Sequence, residues 1–489
     1  MSSKSKIPTP EQSQVINEVL KNLYTMESLS GSLIGPAGSG KTFTLQELAK
    51  EILKLHCRDT VIFLTPTHKA SQVLRGKLPR ALRSNVSTIH RFIGVRPKKN
   101  RDAKEFVAPD AKALEKAAKE LDSRLRLVVI DESSMVSQSF ADHIDEVCQL
   151  VNQDIFVLFC GDPYQLPPVE KGEDIAEEEV VYSKNMCKQF VSSEFKLELF
   201  QVKRHDGVIL EGATKIRENF KGRHSLASFA GKDKHSEVKV FSKEGDWKDS
   251  LVKDIEKGID AKALCFLNAS CRDLTDFVRY SLYGPESRYQ WMAGEKILFP
   301  KYTDLPASVN TVTPEGYTMP IYSSTKATIK SVSIYKDMPL RVGPYHYQTP
   351  KTQQGRIFHE EIFGDFQEVV AETERGQRVC FFYPVFPELK HLKDWHRKVR
   401  RKVSQLEYSK IIPDQHILWD DLTVVNVCFP VVYSQYVMTV HNSQGSTFKN
   451  AYLYSDIERC SSEFRNALLY VALTRASNGV FPLVPTVKP

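Results

Sequence analysis

Residues 35–42 read GPAGSGKT, and they constrain this chain more than any other stretch. Leu33 and Ile34 before them look like the end of a buried strand, while Leu45, Leu48, Ile52 and Leu55 after them recur at helical spacing. A strand, a glycine-rich loop and a helix in that order fit the pattern G-x-x-x-x-G-K-[ST]. Without a Cβ at the glycines, the backbone can turn tightly enough for its N–H groups to converge on phosphate oxygens, with the helix N-terminus behind them. Gly35, Pro36, Ala37, Gly38, Ser39 and Gly40 are therefore expected to cradle phosphates. Lys41 would neutralise the β- and γ-phosphates, and the Thr42 hydroxyl would ligate Mg²⁺. The alternative is a purely structural glycine turn, and strand, loop, lysine and threonine together argue against it.

Three further apolar runs, VIFLTP, LRLVVIDE and DIFVLFCGD, read as buried strands ending in polar residues at their C-terminal side. Helical stretches separate them, which implies βαβ units, a mostly parallel sheet and an α/β fold. Ligands in such folds sit beyond the carboxyl ends of the strands. A second set of strand signals starts near Ala263 (ALCFLN) and resumes at Ala451 (AYLY). The chain of 489 residues has room for about three domains.

Between Arg91 and Arg126 the pattern breaks into a basic run, an isolated Phe106 and a short alanine-rich helix, which reads as a small insertion. From about Pro300 to Pro430 the sequence is rich in Val, Ile, Thr and Tyr, the mark of a β-rich inserted domain, interrupted by a basic helix around Trp395 to Lys402. Composition excludes several classes. With 41% apolar and 26% charged residues, general disorder is not expected. No run approaches the roughly 20 apolar residues of a membrane span, and the opening MSSKSKIPTPEQ lacks a secretory h-region. The 9 cysteines are scattered without a CxxC pair, as expected of reduced thiols in a cytoplasmic protein rather than of zinc or redox sites. A net charge of +7 permits a polyanionic partner without demanding one.

The catalytic candidates lie at the ends of the predicted strands. VVIDESSM places Asp131 and Glu132 directly after an apolar strand, where the first suits Mg²⁺ and the second suits activation of the attacking water. With the phosphate loop upstream, they mark a nucleoside triphosphatase. LFCGDPYQLPPV brings Asp162 and Gln165, a glutamine able to orient the lytic water. Arg475 in LLYVALTRA and Arg204 in LELFQVKRHD are candidates for stabilising transition-state charge.

The order PTPEQ, GPAGSGKT, LTPTHKA, STIH, VVIDESSM, GDPYQLPPV, VKR, ALCFLN, TVHNSQGST, YVALTRA resembles superfamily 1B helicases, and within them the Dda/RecD-like branch of small phage helicases. The resemblance implies two RecA-like lobes, here residues 1–230 and 231–489, with ATP between them and single-stranded DNA crossing both in a 5′-to-3′ motor. It implies that Gln12 recognises adenine, that Gln444 and Gly445 belong to the nucleotide site, and that Arg204 and Arg475 are arginine fingers. It assigns Pro66, Thr67, His68, Thr88 and His90 of the first lobe, and Thr439 and His441 of the second, to DNA. The insertion at 91–126 matches a small 1B pin, with Phe106 as its wedge, and the 300–430 block matches an SH3-like 2B domain. It further implies a monomer acting on single-stranded and forked DNA in phage replication or recombination, in the host cytoplasm, with single-strand-binding or replisome proteins as companions. The chain departs from the family pattern at Asn442, where a lysine is common, at Phe200, where a threonine is frequent, and in YSSTKATIK. Two rival readings are an RNA-directed helicase of the same superfamily and an ATP-gated DNA-binding factor that does not unwind.

Overall fold

The computed structural model describes residues 7–55, 60–95, 98–100, 103–105, 109–170, 181–182, 186–202, 207–300, 303–306, 318–321, 325–349, 352–384, 430–460 and 462–484. The chain divides into two compact units, one of residues 1–97, 106–271 and 438–489, the other of residues 98–105 and 272–437.

The first unit holds two six-stranded sheets. Across the first sheet the strands run Phe195–Glu198, Ser30–Ile34, Phe156–Gly161, Leu127–Ile130, Val61–Thr65, Val86–Thr88, all parallel. Successive side chains of a strand face opposite sides. Leu127 and Val129 accordingly join one apolar layer with Leu33, Leu45 and Phe63, while Val128 and Ile130 join the other with Leu64, Ile144 and Phe159. Helices cover both faces, which is why these strands are apolar without alternation. Burying each such side chain stabilises the sheet by about 1.5–3 kcal/mol. The helix Lys41–Leu55 contributes Leu45, Leu48, Ala49 and Ile52 to this core. Leu55, expected to extend its stripe, is 54% exposed because it ends the helix beyond the buried face. Ser30–Ile34 lies between Phe156–Gly161 and Phe195–Glu198, so the loop that follows it opens where the strand order reverses.

The second sheet runs Gly231–Lys232, Glu237–Val238, Ala476–Pro482, Phe448–Leu453, Ala261–Cys265, Val437–Thr439. Its core includes Leu264, Ala451, Leu453 and Val480 together with the helix Ser462–Leu473. The helix Gly207–Glu218 packs here too, through Ile209, Ala213 and Ile216. That apolar stripe draws the start of the second core ahead of residue 230, where the sequence reading placed the divide. The 91–126 insertion is likewise smaller than expected. Its helix Ala111–Lys119 buries Leu114 and Ala118 in the first core, and within the stretch a short antiparallel hairpin pairs Lys98–Asn100 with Ala103–Glu105. Phe106 lies outside the described residues.

The second unit is β-rich, as the composition of the 300–430 block implies. Its five-stranded sheet runs Arg378–Pro384, Thr352–Thr373, Thr325–Thr349, Lys296–Phe299, Tyr433–Ser434 in antiparallel pairs. The sheet takes in strands on both sides of the expected boundaries, because Ile297, Phe299 and Val432 complete a core with Ile329, Val369 and Phe381. A buried ion pair supports it. Arg279 Nε donates to Glu295 Oε1 at 2.7 Å, and the same guanidinium lies 4.3 Å over the Trp291 ring. The basic stretch Trp395 to Lys402 lies outside the described residues.

Candidate nucleotide and nucleic-acid site

The loop Gly35 to Gly40 leaves the first strand and enters the helix Lys41–Leu55 through two left-handed glycines, Gly38 at φ 89° and Gly40 at φ 92°. At φ 92° a residue with a Cβ would be strained at position 40, and its Cβ would also displace the amide end of Gln12, 2.5 Å away. Lys41 Nζ donates to the carbonyls of Gly35 at 2.6 Å and Pro36 at 3.1 Å, folding a cation across the loop's mouth. Thr42, the next residue of the helix, is half-buried. Ser39 Oγ is buried with no hydrogen-bond partner among the described residues. Positive-φ glycines, a lysine over the mouth, a helix N-terminus and an orphaned hydroxyl make a cradle that fits a phosphate chain.

Asp131 and Glu132 follow the strand Leu127–Ile130 as expected. Asp131 is buried, and its carboxyl is raised to about 7. Burial is the main cause and the neighbouring Glu132 charge the second, with Lys41 pulling the other way. Glu132 occupies the left-handed region at φ 58°, which is costly for a residue with a Cβ. Its N–H donates to Asp131 Oδ1 at 3.0 Å. A Cβ built on Gly445 would lie 4.0 Å from Glu132 Oε1, which places that glycine of TVHNSQGST beside the carboxylate. Gln444 Nε2 donates to Leu166 O at 3.5 Å. Gln165 is buried, its backbone N–H donates to Asp162 O at 3.1 Å, and its Oε1 has no partner among the described residues.

Gln12 is buried beside the loop, but its amide already works locally. Its Oε1 accepts from Thr9 N at 3.1 Å in a capping box at the start of the helix Pro10–Thr25, and its Nε2 donates to Ser39 O at 3.4 Å. One lone pair and one N–H of the amide are left for a base.

The threonines assigned to DNA share one local design. Thr67, Thr88 and Thr439 each cap a helix, accepting from Ala70 N at 3.2 Å, Arg91 N at 3.4 Å and Asn442 N at 3.2 Å. A histidine follows each within two residues. Burial lowers His68, with Arg75 adding to it, and lowers His90, with His68 adding to it. His441, stacked on Phe464 at 5.9 Å, is lowered to about 4 by burial. Pro66 precedes this group at the end of Val61–Thr65 and is half-buried.

Arg475 is buried, with Nε donating to Val471 O at 3.0 Å, one terminal nitrogen to Ser446 O at 3.2 Å and the other to Thr474 Oγ1 at 3.1 Å. Arg204 lies outside the described residues. Two residues not singled out from the sequence join the halves of the first unit. Lys69 donates to the Ser446 hydroxyl. Tyr470 donates to Asp162 Oδ2 at 2.6 Å and accepts from the phosphate-loop amide Ala37 N at 3.1 Å. A tyrosine inside the apolar run LLYVAL was the available signal, since a buried phenol needs a partner.

Residues 8–180 match the family described as AAA domain, and residues 434–481 the UvrD-like helicase C-terminal domain. An uncharacterised protein of Acanthamoeba polyphaga mimivirus is 22% identical over 86% of this chain and 88% of its own length. The ATP-dependent DNA helicase RRM3 of Saccharomyces cerevisiae is 24% identical over 34% of this chain, a match spanning 21% of that relative. The solved structure of Pif1 helicase from Candida albicans superposes with a TM-score of 0.50 at 15% identity, covering 98% of this chain and 94% of that one, and so shares its fold. Among the described residues no helix is long and apolar enough to cross a membrane.

Proposed function

We infer that this chain is an ATP-dependent DNA helicase of superfamily 1B that translocates 5′ to 3′ on single-stranded DNA and opens forked duplex, a reading supported by the matches to an AAA domain and a UvrD-like helicase C-terminal domain. The observation that carries this reading is the convergence of Lys41, the Asp131–Glu132 pair and Gly445 on one site, with residues of both sheets of the first unit contributing. The site residues work as follows in this reading. Lys41 and the loop amides neutralise and orient the β- and γ-phosphates. Thr42 and Asp131 would hold Mg²⁺, which supplies charge neutralisation at the transferring phosphoryl group. Glu132 takes the proton of the attacking water at a carboxylate oxygen, and the unsatisfied Gln165 Oε1 accepts from that water to fix its direction. Gln12 reads adenine with its remaining amide capacity. Arg475, and Arg204 beside the first sheet's last strand in sequence, stabilise charge on the transferring group.

Pro66, Thr67, His68, Thr88 and His90 grip the strand from the first sheet and Thr439 and His441 from the second. Neutral imidazoles and hydroxyls suit this because they hold a backbone without the strong attraction of a fixed cation, so the grip can be released at each step. Phe106 as the duplex wedge, a monomeric state, a Dda-type phage role in replication or recombination, replisome companions and a cytoplasmic site of action complete the proposal. They are supported by the motif order. A strand-displacement assay on a 5′-tailed duplex against a 3′-tailed control tests it. Unwinding of the 5′-tailed substrate alone is expected. Equal unwinding of both, or stronger action on an RNA-tailed substrate, overturns the polarity or the DNA preference.

A further inference from the structure

The helix Ser462–Leu473 is buried over Ala467 to Leu473, so a polar group on it must find its partner inside the protein. Tyr470 is 1% exposed. Its hydroxyl stands between two loops that both follow strands of the first sheet. It donates to Asp162 Oδ2 at 2.6 Å and accepts from Ala37 N at 3.1 Å. Burial and the Asp162 charge push the phenol well above its ordinary range, which keeps it the neutral donor. Asp162 is itself fully buried, and its other oxygen accepts from Tyr164 N at 3.2 Å. Its carbonyl takes the N–H of Gln165 at 3.1 Å. One phenol thus joins the phosphate loop and the glutamine loop to a helix that ends two residues before Arg475.

We propose that Tyr470 is a positioning residue for ATP hydrolysis, a hydroxyl strut through which the helix Ser462–Leu473, just ahead of Arg475, sets the phosphate loop at Ala37 and, by way of Asp162, the water-orienting Gln165. This rests on the helicase reading above. The chain Ala37 N–H to Tyr470 O–H to Asp162 is a buried network in which each bond polarises the next, and removing the hydroxyl takes the acceptor from the buried Ala37 amide and the donor from Asp162 Oδ2. Movement of the second sheet on DNA reaches the lytic water along this route, so its loss weakens stimulation by DNA more than it weakens nucleotide capture.

Tyr470→Phe keeps the ring and deletes the hydroxyl. With saturating single-stranded DNA, kcat for ATP hydrolysis is expected to fall about tenfold while KM for ATP stays within about twofold, a split that a general loss of structure does not produce. Asp162→Asn approaches the same bond from its other end and should give the same split, and the double variant should be no worse than the more affected single one. Thermal unfolding of each variant is followed in parallel. Wild-type-like kcat and DNA stimulation in Tyr470→Phe overturns the strut, and so does a loss of kcat matched by loss of ATP affinity and of folded protein. Additive defects in the double variant overturn it as well. If wild type itself hydrolyses ATP no faster with DNA, the helicase reading fails instead, and the two failures are distinct.

Discussion

Thr88 and Thr439 hold matching positions in the two sheets of the first unit. Each ends a three-residue edge strand, Val86–Thr88 or Val437–Thr439, and each caps a one-turn helix that carries a histidine two residues on. The local sequences, VSTIH and VMTVH, repeat the pattern, and Val86 and Val437 are buried in both. Edge strand, threonine cap and imidazole form one device used twice, and the function proposed above gives each copy one of two alternating grips on a single strand. Thr88→Ala and Thr439→Ala should each remove a cap and cost about 1 kcal/mol. Each should also weaken single-stranded DNA binding by a similar factor, about three- to tenfold, read by fluorescence anisotropy. A defect confined to one of the pair would break the equivalence.

Lys41 is held over the mouth of the loop by two carbonyls and lies close enough to Asp131 to oppose the rise of its carboxyl. Lys41→Ala should lower DNA-stimulated ATP turnover by more than about a hundredfold, since the β- and γ-phosphates lose their cation. Single-stranded DNA binding without nucleotide should change by less than about threefold. Steady-state hydrolysis and a binding titration on the same preparation check both halves.

Burial lowers His441 to about 4 from an ordinary 6.5. Between those values the unfolded chain takes up the proton and the folded chain does not. Stability is therefore whole above about pH 6.5 and falls as the pH drops towards 4, at no more than about 1.4 kcal/mol per pH unit for this one group. His68 and His90 shift in the same direction and add to the loss. Urea unfolding at pH 7.5 and pH 5 should show the decline, and His441→Asn should narrow the gap between the two midpoints. An unchanged gap would place the acid sensitivity elsewhere.

Glu295 is fully buried and Arg279 nearly so, and the guanidinium also donates to Gln290 O at 2.7 Å. Burial raises the Glu295 carboxyl and Arg279 opposes that rise. Removing the cation leaves a buried carboxylate with no counter-charge, so Arg279→Ala should destabilise the β-rich unit by about 3–5 kcal/mol. Hydrogen exchange at Ile297 and Phe299, in the sheet this pair supports, should accelerate. Replacing both partners with apolar residues should restore much of the protection.

Much of the candidate nucleotide site was legible in the chain because it is built from contiguous residues. GPAGSGKT specifies its own loop through two glycines that accept left-handed φ and a lysine at the head of a helix, so spacing alone implies the shape. VVIDESSM is similar, an apolar strand that must stop where two carboxylates begin. The reading was weaker wherever an apolar stripe had more than one surface it could bury against. Ile209, Ala213 and Ile216 mark an amphipathic helix, but not which sheet receives it. Leu114 and Ala118 gave no sign that the helix of the small insertion belongs to the first core.

By itself, the sequence determined the phosphate loop, the acidic pair and the parallel strands, since each depends on neighbours a few bonds away. Only the tertiary structure decided that Tyr470 meets Asp162 and Ala37, partners 308 and 433 residues distant along the chain. The same holds for Lys69 with Ser446 and for Gly445 beside Glu132. The physical reason is that a hydrogen bond between distant segments leaves no periodicity or spacing behind. It comes into being once two separately buried cores bring their loops together, where each buried donor must find an acceptor or go unpaired.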